Sequence, residues 1–207
     1  MDIYKLLIRD LLFGLDPEFV HDLSVELIKV NPFKFCDIEL RKTVDGLVYK
    51  NPIGLGAGFD KGGKLINSIG KLGFGFMEVG TITPKPQLGN PKPRLFRDIR
   101  NKSIINRMGF NNPGLEDIKR KLDKRNGNII IGGNIGKGFD TSLEDSWKDY
   151  LECFRGLRDR VDFIVINLSS PNTPNLRNLM KKEYLVKIIN SIQADNFGLL
   201  KIIMPVS

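Results

Sequence analysis

Residues 163–177 join an apolar run to a crowded set of hydroxyl and amide side chains. The β-branched stretch 163–166 predicts a buried strand. Asn167, Ser170 and Asn172 follow it, in a loop that two prolines stiffen by restricting the backbone. Polar groups on a rigid loop at the end of a strand suit a flat ligand that forms hydrogen bonds. Taken alone, an ordinary Asn/Pro turn would be the better interpretation of this segment.

The same design recurs at three other places, because apolar stretches also end in small or polar residues at 54–61, 73–84 and 128–137. Segments with helical periodicity separate these strands, at 64–72, 113–124, 143–157 and 182–192. Ser142 and Asp145 could form a capping box for the third of these helices. Alternating strands and helices predict a parallel sheet, whose ligands bind at the carboxyl ends of the strands.

We predict the α/β class and a (β/α)8 TIM-barrel architecture rather than a dinucleotide-binding Rossmann domain. Gly54, Gly56 and Gly58 resemble part of the dinucleotide fingerprint. Phe59, however, stands where that fingerprint requires its third glycine. The strand ends 54–61, 73–84, 128–137 and 163–177 therefore predict one shared polar site.

Six motifs, in order between residues 51 and about 180, resemble the quinone-dependent (class 2) dihydroorotate dehydrogenases. They are Gly56-Ala-Gly-Phe-Asp-Lys61, Gly80-Thr-Ile-Thr-Pro-Lys-Pro-Gln-Leu-Gly-Asn90, Pro93-Arg-Leu-Phe-Arg97, Ile105-Asn-Arg-Met-Gly-Phe-Asn-Asn112, Asn134-Ile-Gly-Lys137 and Asn167-Leu-Ser-Ser-Pro-Asn-Thr-Pro174. The resemblance implies a flavoprotein of pyrimidine biosynthesis that oxidises dihydroorotate to orotate. FMN would take the hydride and pass electrons to a quinone.

The resemblance also implies a role for individual residues. Ser170 would be the catalytic base, and it would need burial and a hydrogen-bonded network because no histidine lies near it in the sequence. The implied substrate-binding residues are Lys61, Asn106, Arg107, Met108, Gly109, Phe110, Asn167 and Asn172. The implied FMN-binding residues are Ala57, Gly58, Phe59, Asp60, Lys61, Thr81, Asn134, Asn167 and Lys201. His21 and Arg97 match positions of the family's quinone tunnel.

Plainer interpretations exist for several of these residues. Asn106 could be a hairpin position in the excursion 94–109, Lys61 a solvated helix start, and His21 a structural residue. Two other functions also stay open: a non-catalytic truncated remnant of this family, or another FMN barrel oxidoreductase of the class 1 type, which uses fumarate or NAD. Ser170 and the helical N-terminus speak against class 1, where the base is a cysteine.

The length predicts an incomplete barrel in residues 36–207. A complete barrel has eight strands and typically about 250 residues, whereas about five strands precede Ser207, the last at 199–206. The family's Gly-rich loops that hold the FMN phosphate belong to later strands. We therefore expect a C-terminally truncated barrel of about five βα units that binds FMN weakly or not at all and exposes a parallel sheet edge.

Residues 1–35 predict a helical hairpin. The first helix would carry Ile3, Leu6, Leu7 and Leu11 and end near Gly14. Asp16 is a predicted N-cap with Pro17 at the first helical position of the second helix, whose apolar residues include Phe19, Leu23 and Leu27. No stretch of 18 apolar residues could span a bilayer. An ordinary helical hairpin packed on the barrel is the plainer alternative.

In class 2 enzymes such a helical pair lies on the membrane and funnels quinone to the flavin. The resemblance therefore implies a peripheral protein on the cytoplasmic face of a bacterial-type cell membrane. Residues 1–35 carry four basic and six acidic side chains, so their membrane attraction would have to come from apolar burial rather than from Lys or Arg.

The whole chain has a net charge of +8, and because residues 1–35 contribute 4 − 6 = −2, the rest carries +10, with basic clusters at 92–107 and 119–125. A pI near 9.5 can indicate nucleic-acid binding, but no nucleic-acid module is present. A solvated helix face and an anion-friendly site mouth explain the charge better, and dihydroorotate is a carboxylate. Cys36 and Cys153 lie far apart, which favours a reducing compartment, and with His21 as the single histidine we expect no metal site.

Overall fold

The computed structural model describes residues 8–32, 40–127, 129–196 and 201–203. The predictions for Ile3, Leu6, Leu7 and Cys36 lie outside these residues, as do both ends of the fifth strand predicted at 199–206. In chain order the elements are α1 (Arg9–Phe13), α2 (Pro17–Val30), β1 (Lys42–Val44), β2 (Leu47–Tyr49), β3 (Gly54–Leu55), β4 (Phe76–Ile82), β5 (Leu95–Asp98), β6 (Ser103–Asn106), α3 (Leu115–Leu122), β7 (Ile130–Ile135), α4 (Ser146–Leu157), β8 (Phe163–Ile166), α5 (Lys182–Asp195) and β9 (Lys201–Ile203).

Five strands form a parallel sheet in the order β3-β4-β7-β8-β9. The order in the sheet is the order along the chain, so the sheet winds in one direction and has no point at which the order reverses. The connecting helices α3, α4 and α5 pack side by side, as right-handed crossovers on one face of the sheet require. The sheet and its helices are therefore part of a β/α barrel, as predicted.

The main core lies between the sheet and these helices. It contains Met77 and Val79 of β4 together with Ile118 of α3, Phe154 of α4 and Ile188 of α5, all fully buried. Side chains alternate between the two faces of a strand. The residue between Met77 and Val79 therefore projects to the opposite face, the inside of the barrel. This residue is Glu78, and it belongs to the polar site described below.

The prediction of a helix at 64–72 is wrong. Only a 3-10 helix at Ile69–Leu72 forms there, preceded by turns. Both carboxylate oxygens of the buried Asp60 accept backbone N–H groups, from Lys64 at 2.9 Å and from Leu65 at 2.7 Å. Gly70 inside the segment disfavours an α-helix, since glycine costs about 1 kcal/mol there relative to alanine.

The N-terminal helices confirm the capping prediction. Asp16 accepts the backbone N–H of Phe19 at 2.9 Å, and Pro17 is the first residue of α2, which ends at Val30. Two short antiparallel hairpins, β1–β2 and β5–β6, complete the structure, and α2 packs beside β5. None of the described helices is long and apolar enough to cross a bilayer.

Candidate active site at the carboxyl ends of the strands

Four polar side chains from three neighbouring strands form a hydrogen-bonded network inside the barrel. Thr81 donates from its hydroxyl to Asn134 Oδ1 at 2.7 Å, and Asn167 Nδ2 donates to Thr81 Oγ1 at 2.9 Å and to Asn134 Oδ1 at 3.2 Å. Asn134 Nδ2 in turn donates to Glu78 at 3.2 Å. Burial raises the pKa of Glu78, against the lowering effect of this hydrogen bond.

Gly80 lets β4 bring Thr81 into this network. The pairing of β4 with β7 shifts register between Val79 and Ile82, and Gly80 has a φ of 123°. A Cβ at position 80 would lie only 2.4 Å from the carbonyl oxygen of Asn134. No other residue fits this crossing without moving the backbone, so the strand can turn its next side chain toward Asn134.

The loop after β8 holds the proposed base. Ser170 is half-buried, and its Oγ accepts the backbone N–H of Asn172 at 3.3 Å. Asn172 Nδ2 donates to Asn106 Oδ1 at 3.1 Å. Asn90 Nδ2 donates to the carbonyl oxygens of Asn172 at 3.1 Å and of Arg107 at 2.9 Å. The loop is therefore tied to the end of the β5–β6 hairpin, and its amides face the same space.

The loop after β3 presents backbone to this space. A Cβ added at Gly56 or at Gly58 would meet no atom within 4 Å. Gly58 N donates to the carbonyl oxygen of Gly80 at 2.8 Å, which fixes the loop against β4. Lys61 returns its ammonium to the carbonyl oxygen of Gly58 at 2.8 Å. The result is a stretch of backbone that no side chain covers, with one cation beside it.

These groups line one cavity of about 730 Å³. One side of it carries six polar side chains, those of Lys61, Thr81, Asn106, Asn167, Ser170 and Asn172. Ala57, Gly58, Phe59, Met108, Gly109 and Phe110 lie on the same side. Its second wall comes from α1, α2 and the β5–β6 hairpin: Leu12, Phe13, Pro17, Val20, His21, Ser24, Leu95, Arg97 and Ile104. One cavity thus has a side with polar groups, which the sheet and the end of the hairpin supply, and a largely apolar side, which the helices and the hairpin strands supply.

His21 lies where the two walls meet. Its ring packs edge-on against Phe59, with ring centroids 4.7 Å apart. Burial foremost, and then the charge of Lys61, lower the pKa of His21. Burial foremost, and then the charge of Arg94, lower the pKa of Lys61. The lowered pKa of His21 favours an uncharged imidazole at this place.

The sequence also predicted site residues that do not line this cavity. Asp60 accepts the backbone N–H of Lys64, and it lines a smaller neighbouring cavity of about 310 Å³. Arg107 is exposed, donates to the carbonyl oxygen of Pro93 and stacks over Phe96. Asn134 lies behind Thr81 and Asn167, and Lys201 is exposed on β9.

Two positioning residues, Glu78 and Asn90, escaped the sequence analysis. Glu78 sits inside an otherwise apolar strand, which is the one signal that could have revealed it. Asn90 closes a motif that the resemblance includes, but its links to Asn172 and Arg107 span 82 and 17 residues. Sequence spacing alone does not reveal such long-range pairs.

The comparisons with known proteins agree with this geometry. Residues 39–205 match the dihydroorotate dehydrogenase family. A protein of Christiangramia forsetii described as dihydroorotate dehydrogenase (quinone) is 48% identical over 210 residues, and the similar region covers 94% of this chain and 60% of that protein. A Legionella pneumophila protein of the same description is 44% identical, with 93% and 59% covered. The chain thus spans about 60% of the length of these relatives.

Two crystal structures of Eimeria tenella dihydroorotate dehydrogenase are similar to this fold. The complex with ferulenol gives a TM-score of 0.79 at 41% identity, covering 89% of this chain and 53% of that one. The ligand-free form gives a TM-score of 0.80 at the same identity. The fold and site define a β/α-barrel protein with a ligand cavity at its strand ends. The chain belongs to the dihydroorotate dehydrogenase family.

Proposed function

We propose that the protein oxidises dihydroorotate to orotate in pyrimidine biosynthesis, and that electrons pass through FMN to a quinone. The observation that carries this proposal is the single cavity with one polar and one apolar wall. A polar pyrimidine and a lipophilic electron acceptor need such different surroundings close together. The printed names of the relatives describe the same quinone-dependent reaction for those proteins.

The residues present fit the ring of FMN. The open backbone at Gly56 and Gly58 offers a flat surface that side chains would fill, and Lys61, Thr81 and Asn167 place polar groups around it. When bound there, FMN would supply a hydride acceptor that can later deliver electrons. Glu78 and Asn134 would contribute indirectly, because they fix the orientation of the Thr81 and Asn167 side chains.

Dihydroorotate would lie against the amides of Asn106, Asn167 and Asn172, with Lys61 opposing its carboxylate. Ser170 would remove a proton from the pyrimidine ring. Its Oγ already accepts a backbone N–H from Asn172, and such a donor stabilises negative charge that develops on the oxygen. The Asn172–Asn106 hydrogen bond holds the loop at one distance from the substrate.

The quinone would enter along the apolar wall. His21 and Arg97 both line the cavity there, and Arg97 stacks over Phe13 with 5.0 Å between the guanidinium carbon and the ring centroid. Residues 1–35 would lie on the cytoplasmic face of a cell membrane and present their apolar side chains to it. Leu11, Phe19 and Leu27 are exposed, as such a role requires.

The test uses two proteins: the 207-residue chain, and a chimera in which the C-terminal part of the Christiangramia forsetii relative follows residue 203. The chimera should retain FMN and reduce a long-tailed quinone with dihydroorotate. The chain alone should retain much less FMN, because the phosphate-binding loops expected from the family lie in later strands.

Two results would overturn the proposed reaction, and a third would contradict the expected role of the later strands. A chimera that holds FMN but is not reduced by dihydroorotate would remove the substrate assignment. Reoxidation by fumarate or NAD as fast as by quinone would favour the class 1 type. A 207-residue chain that binds FMN as tightly as the chimera would contradict the expected role of the later strands.

A further inference from the structure

The β5–β6 hairpin has two faces of different character. In its antiparallel register Leu95 pairs with Asn106 and Arg97 pairs with Ile104, and all four residues line the cavity. Directly paired residues project to the same side of a sheet and successive pairs alternate. Phe96 and its partner Ile105 therefore project away from the cavity.

This outward side and the tip of the hairpin expose apolar and cationic side chains together. Ile105 is 58% exposed and Ile99, in the turn, is 65% exposed. Arg100 and Lys102 in the same turn are exposed, and neither has an ion-pair partner among the residues that the structure describes. Two free cations beside apolar side chains at an exposed turn have no evident structural purpose.

The hairpin is joined to the helices that we propose to lie on the membrane. Arg97 donates to the carbonyl oxygen of Leu15, in the turn between α1 and α2, at 2.8 Å and to that of Phe13, the last residue of α1, at 3.3 Å. β5 also packs beside α2. The exposed apolar side chains of the helices and of the hairpin thus belong to adjoining parts of one surface around the cavity mouth.

We propose that the turn of residues 99–102 is a contact site for anionic phospholipid, with Arg100 and Lys102 binding headgroup phosphates while Ile99 enters the interface. This inference rests on the proposed membrane association and adds to it the class of lipid. The hairpin is a fixed part of the barrel excursion rather than of residues 1–35, so it sets the angle at which the cavity mouth meets the membrane.

Charge complementarity is the reason for choosing an anionic lipid surface. Residues 8–32 carry two basic and five acidic side chains, so the helices alone would be repelled by anionic headgroups. The hairpin 95–106 carries three basic residues and one acidic residue, Asp98. Asp98 is occupied by hydrogen bonds from Asn101. The cations needed at the membrane therefore come from the hairpin and not from the helices.

The experiment measures flotation of the 207-residue chain with vesicles of phosphatidylcholine, with and without phosphatidylglycerol. The double substitution Arg100→Gln and Lys102→Gln should weaken binding to the anionic vesicles by about 30-fold, because each Lys or Arg at a membrane surface contributes a factor of about 5. Binding to neutral vesicles should not change. The effect should vanish near about 1 M salt, where charges are screened within about 3 Å.

The matched control is Lys181→Gln with Lys182→Gln, which removes the same charge from exposed residues at the start of α5. It should bind anionic vesicles like the parent, and circular dichroism should show all three proteins folded. Equal loss in both double variants would mean that only net charge matters and would overturn the assignment.

Two further outcomes separate this inference from the proposed function. If the parent binds neutral and anionic vesicles equally well, the turn is not an anionic-lipid site, although the helical anchor stands. If the parent binds neither kind, both proposals fail. Ile99→Ser is a second probe, since it should weaken binding to both vesicle types without altering charge.

Discussion

Ser170 has an unusual setting for a base. No described side chain is positioned to take its proton, and its Oγ is instead the acceptor of the Asn172 backbone N–H. The adjacent Ser169 lies in the same loop, but its backbone N–H goes to Asn167 Oδ1. Only Ser170 of the two lines the cavity. The structure therefore offers a pair of neighbouring serines with the same chemistry and different access to a ligand.

Ser170→Ala in the chimera should slow reduction of the flavin by dihydroorotate by about 100-fold or more, the scale on which loss of a general base acts. FMN content should stay unchanged, because Ser170 belongs to the substrate side of the cavity. Stopped-flow absorbance of the flavin measures the rate. Ser169→Ala is the control and should keep nearly the parent rate. A near-parent rate for Ser170→Ala would exclude Ser170 as the base.

For single residues, the sequence allows a position at the cavity to be predicted where the residue lies in a contiguous motif at the end of a strand. Ser170, Asn167 and Thr81 reach the cavity as predicted, because a strand's carboxyl end fixes where its next residues go. The orientation of a longer side chain does not follow from the chain direction. Arg107, next to Asn106, turns outward to the carbonyl oxygen of Pro93, which no local rule foretells.

At the scale of elements, one buried ion pair determines how α2 sits over the cavity. Glu18 and Arg94 are both buried, and Arg94 contacts both carboxylate oxygens, the closest at 2.7 Å from Nη2. Arg94 also donates to the carbonyl oxygens of Leu88 and Asn90. The pair joins the helix to the excursion that carries the hairpin, so α2 is a packed part of the structure.

Glu18→Gln should lower the free energy of unfolding at neutral pH by about 3–5 kcal/mol, since it leaves a buried guanidinium unpaired. The hydrogen bond from Arg94 foremost lowers the pKa of Glu18 below 4.5. The native state therefore binds fewer protons than the unfolded state, and this stabilisation is present above pH 4.5 and is lost as the pH falls toward the lowered pKa. Urea unfolding at several pH values measures both effects.

Glu26→Gln on the same helix is the control for this prediction. Glu26 forms exposed ion pairs with Lys64 and Lys29, and such pairs contribute little to stability. Its substitution should change unfolding only slightly at neutral pH. If Glu18→Gln is no more destabilising than Glu26→Gln, the buried pair does not secure α2.

Three elements, α2, the segment 64–72 and the β1–β2 hairpin, show how far local sequence signals predict secondary structure here. α2 has an N-cap, a first-turn proline and an apolar face, and its limits agree with the prediction. The segment 64–72 forms turns and a short 3-10 helix instead, and Gly70 inside it is the signal against an α-helix that the sequence contains. The β1–β2 hairpin was not predicted, although Asp45-Gly46 at its turn, both with positive φ, is a strong hairpin signal.

At the scale of the whole molecule, the cavity connects two surroundings. The sheet and Asn106 at the end of the hairpin supply polar groups, while α1, α2 and the rest of the hairpin supply a largely apolar wall and an exposed apolar surface around it. Removing residues 1–33 would also remove the buried Glu18 and Val25. A loss of membrane binding in that deletion variant could then result from unfolding as well as from loss of the anchor. Exposed side chains of the helices give a cleaner test.

Replacing Leu11, Phe19 and Leu27 by serine should abolish binding to neutral vesicles, by a factor of at least about 100, because full burial of each such side chain is worth roughly 1.5–3 kcal/mol. All three side chains are exposed, so the fold should persist. In the chimera the same triple change should slow turnover with a long-tailed quinone and spare flavin reduction by dihydroorotate.

The control for this last test replaces three equally apolar, exposed residues elsewhere, Ile53, Phe139 and Val186, by serine. That variant should bind neutral vesicles and use long-tailed quinone like the parent. A short-tailed, water-soluble quinone should serve both variants alike, because it does not need delivery from the bilayer. If the helix variant still floats with neutral vesicles, its exposed apolar face is a structural accident and the quinone route along α1 and α2 is wrong.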